Sequence, residues 1–382
     1  GVAAGKTCIV LEMKADSPKA IAGDIVARLQ QAGFAAFWVG GCVRDFLLGR
    51  EPQDFDIATD ARPEQVEKLF QKTIAVGRKF GVMVVVEDGQ QFQVATFRAE
   101  ADYQDGRRPE TVVFANAEAD AQRRDFTVNG LFYDPVTQKI HDWVGGEKDL
   151  RAKIIRTIGA PAERFGEDHL RMLRAVRFAA RLGFEIEPKT FSAIQNLAPK
   201  IKLISAERIR DELLKLFAPP SASFSLSSIG GEGRGEEADV SKTQIPSPQP
   251  SPRLGGAREK NFPAARGLVL LRDSSLLEHI LPELAATVHC EQSPDFHPEG
   301  SVFNHLCLML EHMPGWSPSF SLSGHTLKRE LQLELLPWAV LLHDIAKPVT
   351  AEKDSQTGAI HFYAHEKIGA AMAEDILRRL KF

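Results

Sequence analysis

The sequence predicts an α/β domain followed by a mainly helical remainder. Three observations support this fold class. Between residues 34 and 150, apolar runs of strand length alternate with helical stretches. Between residues 161 and 217, apolar residues recur at the helical period instead. The helical pattern resumes near residue 268, after a segment rich in Ser, Gly and Pro that has no regular apolar spacing.

The bulk composition is that of an ordinary globular protein with two or three domains. The 382 residues are 43% hydrophobic and carry a net charge of −4. We expect no membrane span and no signal peptide. The cysteines lie far apart, which argues against disulfides and thiolate zinc sites and predicts a cytoplasmic protein: Cys8, Cys42, Cys290 and Cys307. Between Arg123 and Lys215, 18 Lys and Arg stand against 13 Asp and Glu, a basic excess compatible with phosphate contacts.

The periodicity divides the chain into predicted elements and domains. Strands are expected at residues 35–39, 55–59, 82–86 and 92–97. Helices are expected at 43–48, from Pro63, from Leu170 to a cap at Gly183, and at 189–197 and 206–217. A polar loop is expected at 99–110. The predicted organisation is an N-terminal segment and helix (1–33), an α/β head (34–160), a helical neck (161–218), a disordered insertion (219–265), and a helical body with a further helical domain (266–382).

A double-glycine turn marks the first candidate motif. Gly40 and Gly41 stand between a predicted strand and a predicted helix, where small residues let the backbone approach a phosphate chain. Arg44, one turn into the helix, can add a fork of donors to the same phosphates. A purely structural strand-to-helix turn is the alternative.

Two aspartates form the second motif. Asp54 and Asp56 are placed on one predicted strand, where residues two apart share a face. Close carboxylates repel each other unless a cation lies between them, and Mg²⁺ bound in this way can activate a hydroxyl and stabilise leaving pyrophosphate. The alternative is an edge strand with two solvated acids.

Two further motifs carry arginines beside acidic or amide groups. Arg124 is suited to a triphosphate, and Asp125 or Asn129 to a ribose hydroxyl; the alternative is a helix capped by Asp125. Asp168 and Arg171 are expected on one helical face, where an acceptor beside a donor can mimic the edge of a base. The alternative there is an ordinary surface ion pair.

Together these motifs resemble the polymerase-β-type nucleotidyltransferases that add CCA or poly(A) to RNA 3′ ends. The matching segments are GGCVRD (40–45), DFDIAT (54–59), RRDFTVN (123–129) and EDHLRMLRAVRF (167–178). The resemblance implies that Asp54 and Asp56 bind catalytic metal, that Gly40, Gly41, Arg44, Arg124, Asp125 and Asn129 hold the nucleotide, and that Asp168, Arg171, Arg174 and Arg177 form a protein template for CTP and ATP. Many relatives carry Glu where this chain has Gln93. An amide is a poor replacement for an anionic metal ligand, so either two carboxylates suffice or turnover is reduced; we expect the former because the other motifs are intact.

The C-terminal histidines resemble those of HD phosphohydrolase domains. His305, His343 and Asp344, followed by His365, correspond to the metal-binding pattern of that family, which implies a second divalent metal. Asp375 is the only downstream candidate for a further ligand. Histidines that merely pack or cap are the alternative.

The leading hypothesis is therefore a tRNA nucleotidyltransferase that uses Mg²⁺, CTP and ATP to add CCA. Poly(A) polymerase activity is the nearest alternative, because both activities use the same head. An HD-type metal phosphohydrolase and an inactive RNA-binding protein are alternatives of other classes.

Overall fold

The computed structural model describes residues 17–99, 113–218, 263–313 and 329–382. The chain divides into two compact units, the first ending at Leu150 and the second beginning at Arg151. Most of the predicted loop at 99–110 and of the insertion at 219–265 lies outside the described residues. Within the described residues, no helix has the length and apolar character needed to cross a bilayer.

The first unit is built on a mixed seven-stranded sheet. Its strand order is β3-β4-β5-β2-β1-β8-β9, and only the β2–β5 pair is parallel among its neighbours. The strands are β1 Ala36–Val39, β2 Ile57–Thr59, β3 Thr73–Gly77, β4 Val82–Glu87, β5 Gln90–Thr96, β8 Phe132–Asp134 and β9 Lys139–His141, with a separate pair β6 Arg98–Ala99 and β7 Val113–Phe114. Alternating apolar residues explain these strands, and buried Val39, Ala58, Phe97 and Phe132 pack together in the core.

Five helices accompany this sheet: α1 Pro18–Gln31 precedes it, α2 Gly41–Leu47, α3 Pro63–Leu69 and α4 Ala117–Gln122 lie between its strands in sequence, and α5 Gly146–Ala152 follows it. Ser17 caps α1 by accepting a hydrogen bond from the Ala20 amide at 3.2 Å. The predicted strands at 82–86 and 92–97 correspond to β4 and β5, which are joined by a hairpin turn where Asp88 and Gly89 both have positive φ, 49° and 75°. Strand β3 was not predicted; its central residues are exposed, so its sequence lacks the alternation of a half-buried strand.

The second unit begins with the neck. Its helices are α6 Pro161–Glu167, α7 Leu170–Leu182, α8 Pro188–Leu197 and α9 Ala206–Phe217, as the helical periodicity predicted. Gly183 ends α7 in the left-handed conformation with φ 73°, which confirms the predicted cap. Parallel pairing of β10 Ile154–Ile155 with β11 Glu185–Ile186 ties residues after Leu150 to this unit, whereas the sequence suggested a head extending to residue 160.

The rest of the second unit is helical with one hairpin. Its elements are α10 Pro263–Asp273, α11 Leu276–Ile280, α12 Pro282–Ala286, α13 Val302–His312, α14 Arg329–Leu342, α15 Lys347–Thr350, β12 Ala351–Lys353, β13 Ile360–Phe362 and α16 His365–Arg379. Helix α10 begins at Pro263 rather than near Leu268, so the predicted insertion ends too late. Pro263 and Ala265 are buried, a tertiary contact that the apolar period does not reveal.

Candidate functional site

The acidic pair lies just before β2. The prediction of a strand from residue 55 is wrong, because β2 begins at Ile57 and both aspartates precede it. Asp54 is exposed, whereas Asp56 is only 4% exposed. The Val39 amide of the central strand β1 donates to the Asp56 carbonyl at 2.9 Å, which fixes the backbone at this point. The segment therefore offers one buried and one solvent-facing carboxylate.

Gln93 lies on β5, the strand that runs parallel to β2. Ile57 of β2 is in register with Val94 of β5. Continuing this register by one residue beyond the start of β2 pairs Asp56 with Gln93. Gln93 is partly buried, and a carboxylate at this position would approach Asp56 if the register continues.

The double-glycine turn has the backbone that its sequence predicts. Gly40 adopts φ 75° and ψ −130°, a conformation open only to glycine, and precedes the first residue of α2, Gly41. Arg44 is fully buried and donates a fork of two 2.9 Å hydrogen bonds to Asp45. It also donates to the Asn129 side-chain oxygen at 2.6 Å. The geometry therefore makes Arg44 a brace between two motifs that lie far apart in sequence.

The third motif continues this network. The Asp125 carboxylate accepts hydrogen bonds from the Phe126 amide at 2.8 Å and from the Asn129 side chain at 3.1 Å. The alternative interpretation, a helix capped by Asp125, does not hold. The short 3-10 helix Thr127–Asn129 is preceded by Phe126, which is its cap residue. A chain from Arg44 through Asn129 to Asp125 results.

Arg124 is held by an acid that the motif analysis missed. Its guanidinium is buried and lies 2.9 Å from Asp120, which also pairs with Arg123 at 2.6 Å. Burial alone would raise the pKa of Asp120, but the charges of Arg123 and Arg124 outweigh it and lower that pKa. The spacing of three and four residues from Asp120, across the end of α4, was the available signal.

In the neck, Asp168 and Arg171 are not on one helix. Asp168 has extended φ and ψ between α6 and α7, so the expectation of a shared helical face is wrong. Its carboxylate accepts from the Leu170 amide at 3.0 Å and from Arg208 at 2.7 Å. Arg171 pairs with Glu167 and donates to the Arg164 carbonyl. Asp168 and Arg171 thus have separate partners.

Arg174 and Arg177 of α7 share a buried acid of α9. Glu212 lies 2.6 Å from the Arg177 Nε and 3.3 Å from Arg174. Both guanidinium groups also lie over the Phe178 ring, at 5.3 and 4.2 Å. Burial raises the pKa of Glu212, but Arg177 and then Arg174 outweigh it and lower that pKa. The Arg177 side chain is only 1% exposed, which makes it the more deeply fixed of the two.

The C-terminal histidines form a cluster, as predicted. Ligand atoms of His305, His343 and Asp344 all lie within 4.8 Å of one another. His365 approaches Asp344 with its Nε2 at 3.8 Å but is not within that three-residue group. Asp375, the downstream candidate, is exposed on α16 and is not part of this three-residue group. Among the described residues, candidate metal groups of three occur only in this region.

Two cluster neighbours were missed from the sequence. Glu299 Oε1 lies 2.7 Å from His305 Nδ1 and 3.0 Å from His297 Nδ1. Its own backbone amide, then these histidines, lower the pKa of Glu299 to about 2. On the other side, buried Lys347 donates to Asp344 at 2.8 Å and to Gln292 at 2.7 Å. The spacing of His297 and Glu299, two residues apart ahead of α13, was the only sequence signal for the contacts of Glu299.

Three segments match known families. Residues 36–156 match the poly A polymerase head domain, residues 183–228 the probable RNA and SrmB-binding site of polymerase A, and residues 302–382 the HD domain. These matches agree with the predicted fold class, an α/β polymerase-β-type nucleotidyltransferase head followed by a helical body and an HD domain.

Curated proteins with similar sequences are CCA-adding enzymes. The chain is 47% identical to that of Geobacillus kaustophilus over 210 residues, which are 55% of this chain and 52% of the relative. Identity to that of Staphylococcus saprophyticus is 45% over 206 residues, 54% of this chain and 51% of the relative. The chain thus spans about half the length of the curated relatives it matches.

Solved structures extend the likeness over nearly the whole chain. The crystal structure of the Bacillus stearothermophilus CCA-adding enzyme in complex with CTP aligns with 97% of this chain and 83% of its own, with a TM-score of 0.53 and 29% identity. A CCA-adding enzyme in complex with ATP gives a TM-score of 0.54 over 96% of this chain and 70% of its own; at 17% identity it supports the fold alone. With segments that match the poly A polymerase head domain, the RNA-binding segment of polymerase A and the HD domain, the chain is similar to bacterial CCA-adding enzymes in sequence over about half of its length and in fold over nearly all of it.

Proposed function

We propose that this protein is a template-independent RNA nucleotidyltransferase that adds CCA from CTP and ATP to tRNA 3′ ends. The observation that carries the proposal is the acidic pair Asp54 and Asp56, which lies at the start of a central strand of a polymerase head. The similarity to CCA-adding enzymes supports tRNA as the substrate and the cytoplasm as the location. In the reaction, the RNA 3′-oxygen bonds to the α-phosphorus and the bond to pyrophosphate breaks.

Asp54 and Asp56 would hold Mg²⁺ in the head. Two carboxylates are a typical protein contribution to a Mg²⁺ site, where phosphate oxygens and waters supply the remaining ligands. When bound, Mg²⁺ stabilises negative charge on the attacking and leaving oxygens. The exposed Asp54 meets an incoming ligand, while the buried Asp56 keeps its position through the backbone of β1 and β2.

Around this pair, the other head residues frame the nucleotide. Gly40 and Gly41 keep the turn free of side chains, so that a phosphate chain can approach the backbone. Arg44 braces Asn129, which in turn holds Asp125 for the ribose. Arg124 supplies positive charge behind this network while Asp120 orients its guanidinium. These roles are proposals that rest on burial and hydrogen bonds.

The neck residues would select the base. Asp168 offers carboxylate acceptors and Arg171 guanidinium donors, and their side chains retain 21% and 12% exposure. Such a pair can satisfy the donor and acceptor edge of cytosine or adenine. Arg174 and Arg177 are anchored through Glu212, and the burial of Arg177 favours a bracing role over direct contact with the base.

The test uses purified protein, Mg²⁺ and three tRNA substrates, ending before CCA, after C and after CC. Each is incubated with CTP, ATP, both or neither, beside an Asp54→Ala/Asp56→Ala control. Addition that stops at CCA and is lost in the control is the expected result. A long A tail would instead indicate poly(A) polymerase, addition of C alone or A alone would indicate a divided pathway, and no incorporation by the wild type would refute the proposal.

A second candidate function is favoured by the cluster of His305, His343 and Asp344. Imidazole and carboxylate ligands suit a divalent transition metal, which when bound would activate water for phosphate ester hydrolysis. The test measures release of phosphate from a 2′-nucleotide and opening of a 2′,3′-cyclic nucleotide. Activity that survives Asp56→Ala but not Asp344→Ala is expected, and activity that survives Asp344→Ala would contradict this second function.

A further inference from the structure

Each histidine that faces Asp344 has its Nδ1 occupied by an acceptor. His343 Nδ1 lies 2.8 Å from the Val340 carbonyl oxygen, and His365 Nδ1 lies 2.9 Å from the Phe362 carbonyl oxygen. A carbonyl oxygen can only accept, so both rings carry their proton on Nδ1. Their Nε2 atoms therefore face the cluster, 3.2 and 3.8 Å from Asp344 carboxylate oxygens, where a bound cation would take the Nε2 lone pair in place of a proton.

His305 follows the same rule with a different acceptor. Its Nδ1 lies 2.7 Å from Glu299 Oε1, so a carboxylate takes the place that a backbone carbonyl has at the other two rings. A carboxylate is an acceptor only, so His305 donates from Nδ1 and leaves Nε2 for the group it forms with His343 and Asp344. Glu299 thus does for His305 what a backbone carbonyl does for the other two rings.

Glu299 is itself held in place. The same Oε1 accepts a second hydrogen bond from His297 Nδ1 at 3.0 Å. Asn304 donates from its side chain to the Glu299 carbonyl oxygen at 3.0 Å, which attaches the loop to the first turn of α13. The Glu299 side chain is only 14% exposed. Because Glu299 is held at both its carboxylate and its backbone carbonyl, it can determine the orientation of the ring that it contacts.

We propose that Glu299 is a positioning residue that fixes the orientation and tautomer of His305 and thereby sets the affinity of the His305–His343–Asp344 group for a divalent transition metal. The proposal rests on the metal site of the second candidate function and is independent of nucleotide transfer in the head. Removing a carboxylate that orients a ligating histidine typically weakens metal binding about 10- to 100-fold.

The probe is Co²⁺, titrated into the full chain and followed by visible absorption and calorimetry, so that no turnover is needed. We expect Glu299→Ala to weaken Co²⁺ binding about 10- to 100-fold. Glu299→Gln should restore most of the affinity, because the amide oxygen still accepts from Nδ1. Glu283→Ala is the matched control: Glu283 is another partly buried acid of this unit, paired with Arg379, and its loss should leave the affinity unchanged.

The outcomes separate the possibilities. Glu299→Ala that binds Co²⁺ as tightly as the wild type would overturn the positioning role while leaving the metal site intact. Equal weakening by Glu299→Gln and Glu299→Ala would also overturn it, because Glu299 would then act through its charge. A wild type that does not bind Co²⁺ would refute the metal site and this role together. If Glu299→Ala does not fold by circular dichroism, the pair Glu299→Gln and Glu299→Asp provides the comparison: Gln should bind more tightly than the shortened Asp, and the reverse order would refute the role.

Discussion

The acidic pair of the head and the histidine cluster of the HD domain hold their donor atoms in different ways. Asp54 and Asp56 come from one short segment, and one of them faces solvent. His305, His343 and Asp344 come from α13 and from the turn after α14, and the ring orientations are set by hydrogen bonds within the protein. In the proposed function, the head would therefore supply an incomplete set of donors to a metal that arrives with a nucleotide, whereas the HD domain would supply a set whose orientation the protein fixes.

The largest expected effect separates the two sites. We predict that Asp56→Asn lowers nucleotide incorporation by roughly 10³-fold, because a carboxylate that holds the metal contributes several kcal/mol in the transition state. His343→Ala should leave incorporation unchanged and abolish Co²⁺ binding at the HD cluster. Incorporation kinetics and Co²⁺ titration on both variants measure this, with Asp60→Asn, an exposed acid of the same segment, as the control. If either substitution impairs both readouts, the two sites are not separate.

An intermediate effect is expected from the ion pairs that Asp120 makes with Arg123 and Arg124 inside the head. We predict that Asp120→Asn lowers the free energy of unfolding by about 3 kcal/mol, because Arg124 then stays buried without its carboxylate. The pKa of Asp120 is lowered in the folded state, so its stabilisation is present above the unfolded pKa, about 3.9, and is lost as the pH falls through the folded value.

Thermal melts of the wild type and Asp120→Asn between pH 3 and pH 7 check this. The difference in melting temperature between the two proteins should be largest at neutral pH. It should narrow as the pH falls below the unfolded pKa of Asp120, about 3.9. Exposed Glu118→Gln on the same helix is the control. A gap that widens in acid would contradict the assigned sign.

The smallest effect would make the two sites more alike. Gln93→Glu adds a third carboxylate beside Asp56, as the strand register places it. We expect the Mg²⁺ concentration for half-maximal incorporation to fall roughly threefold to tenfold, because added ligand charge raises the affinity for the cation. Gln91→Glu puts the same charge two residues earlier on β5, at an exposed position, and should have no such effect. An unchanged Mg²⁺ requirement in Gln93→Glu would mean that this position does not reach the metal.

Local patterns were sufficient for most of the fold. The hairpin at Asp88 and Gly89 and the end of α7 at Gly183 follow from short-range rules, and the structure agrees with them. Strand β3 and the start of α10 did not follow, because exposure of the first and tertiary burial of the second hide the period.

The candidate site was predictable as a set of residues but not as a set of partners. Arg44 with Asn129, and Arg177 with Glu212, are joined across 85 and 35 positions, and no local spacing signals such pairs. Asp168 was misplaced because the helical period continues through the break between α6 and α7. Glu299 escaped notice because its role depends on a ring orientation that only the folded chain defines.

Lys347 gives Asp344 a counterion that belongs to the chain itself. The Lys347 ammonium group lies 2.8 Å from that carboxylate and 5.3 Å from the Phe362 ring centre. The charge of Asp344 is therefore balanced within the protein. Small zinc domains unfold when a chelator removes their ion, because metal binding supplies their folding free energy. Here the counterion of Asp344 is encoded in the sequence, so the charge of this buried acid is balanced whether or not a cation is bound.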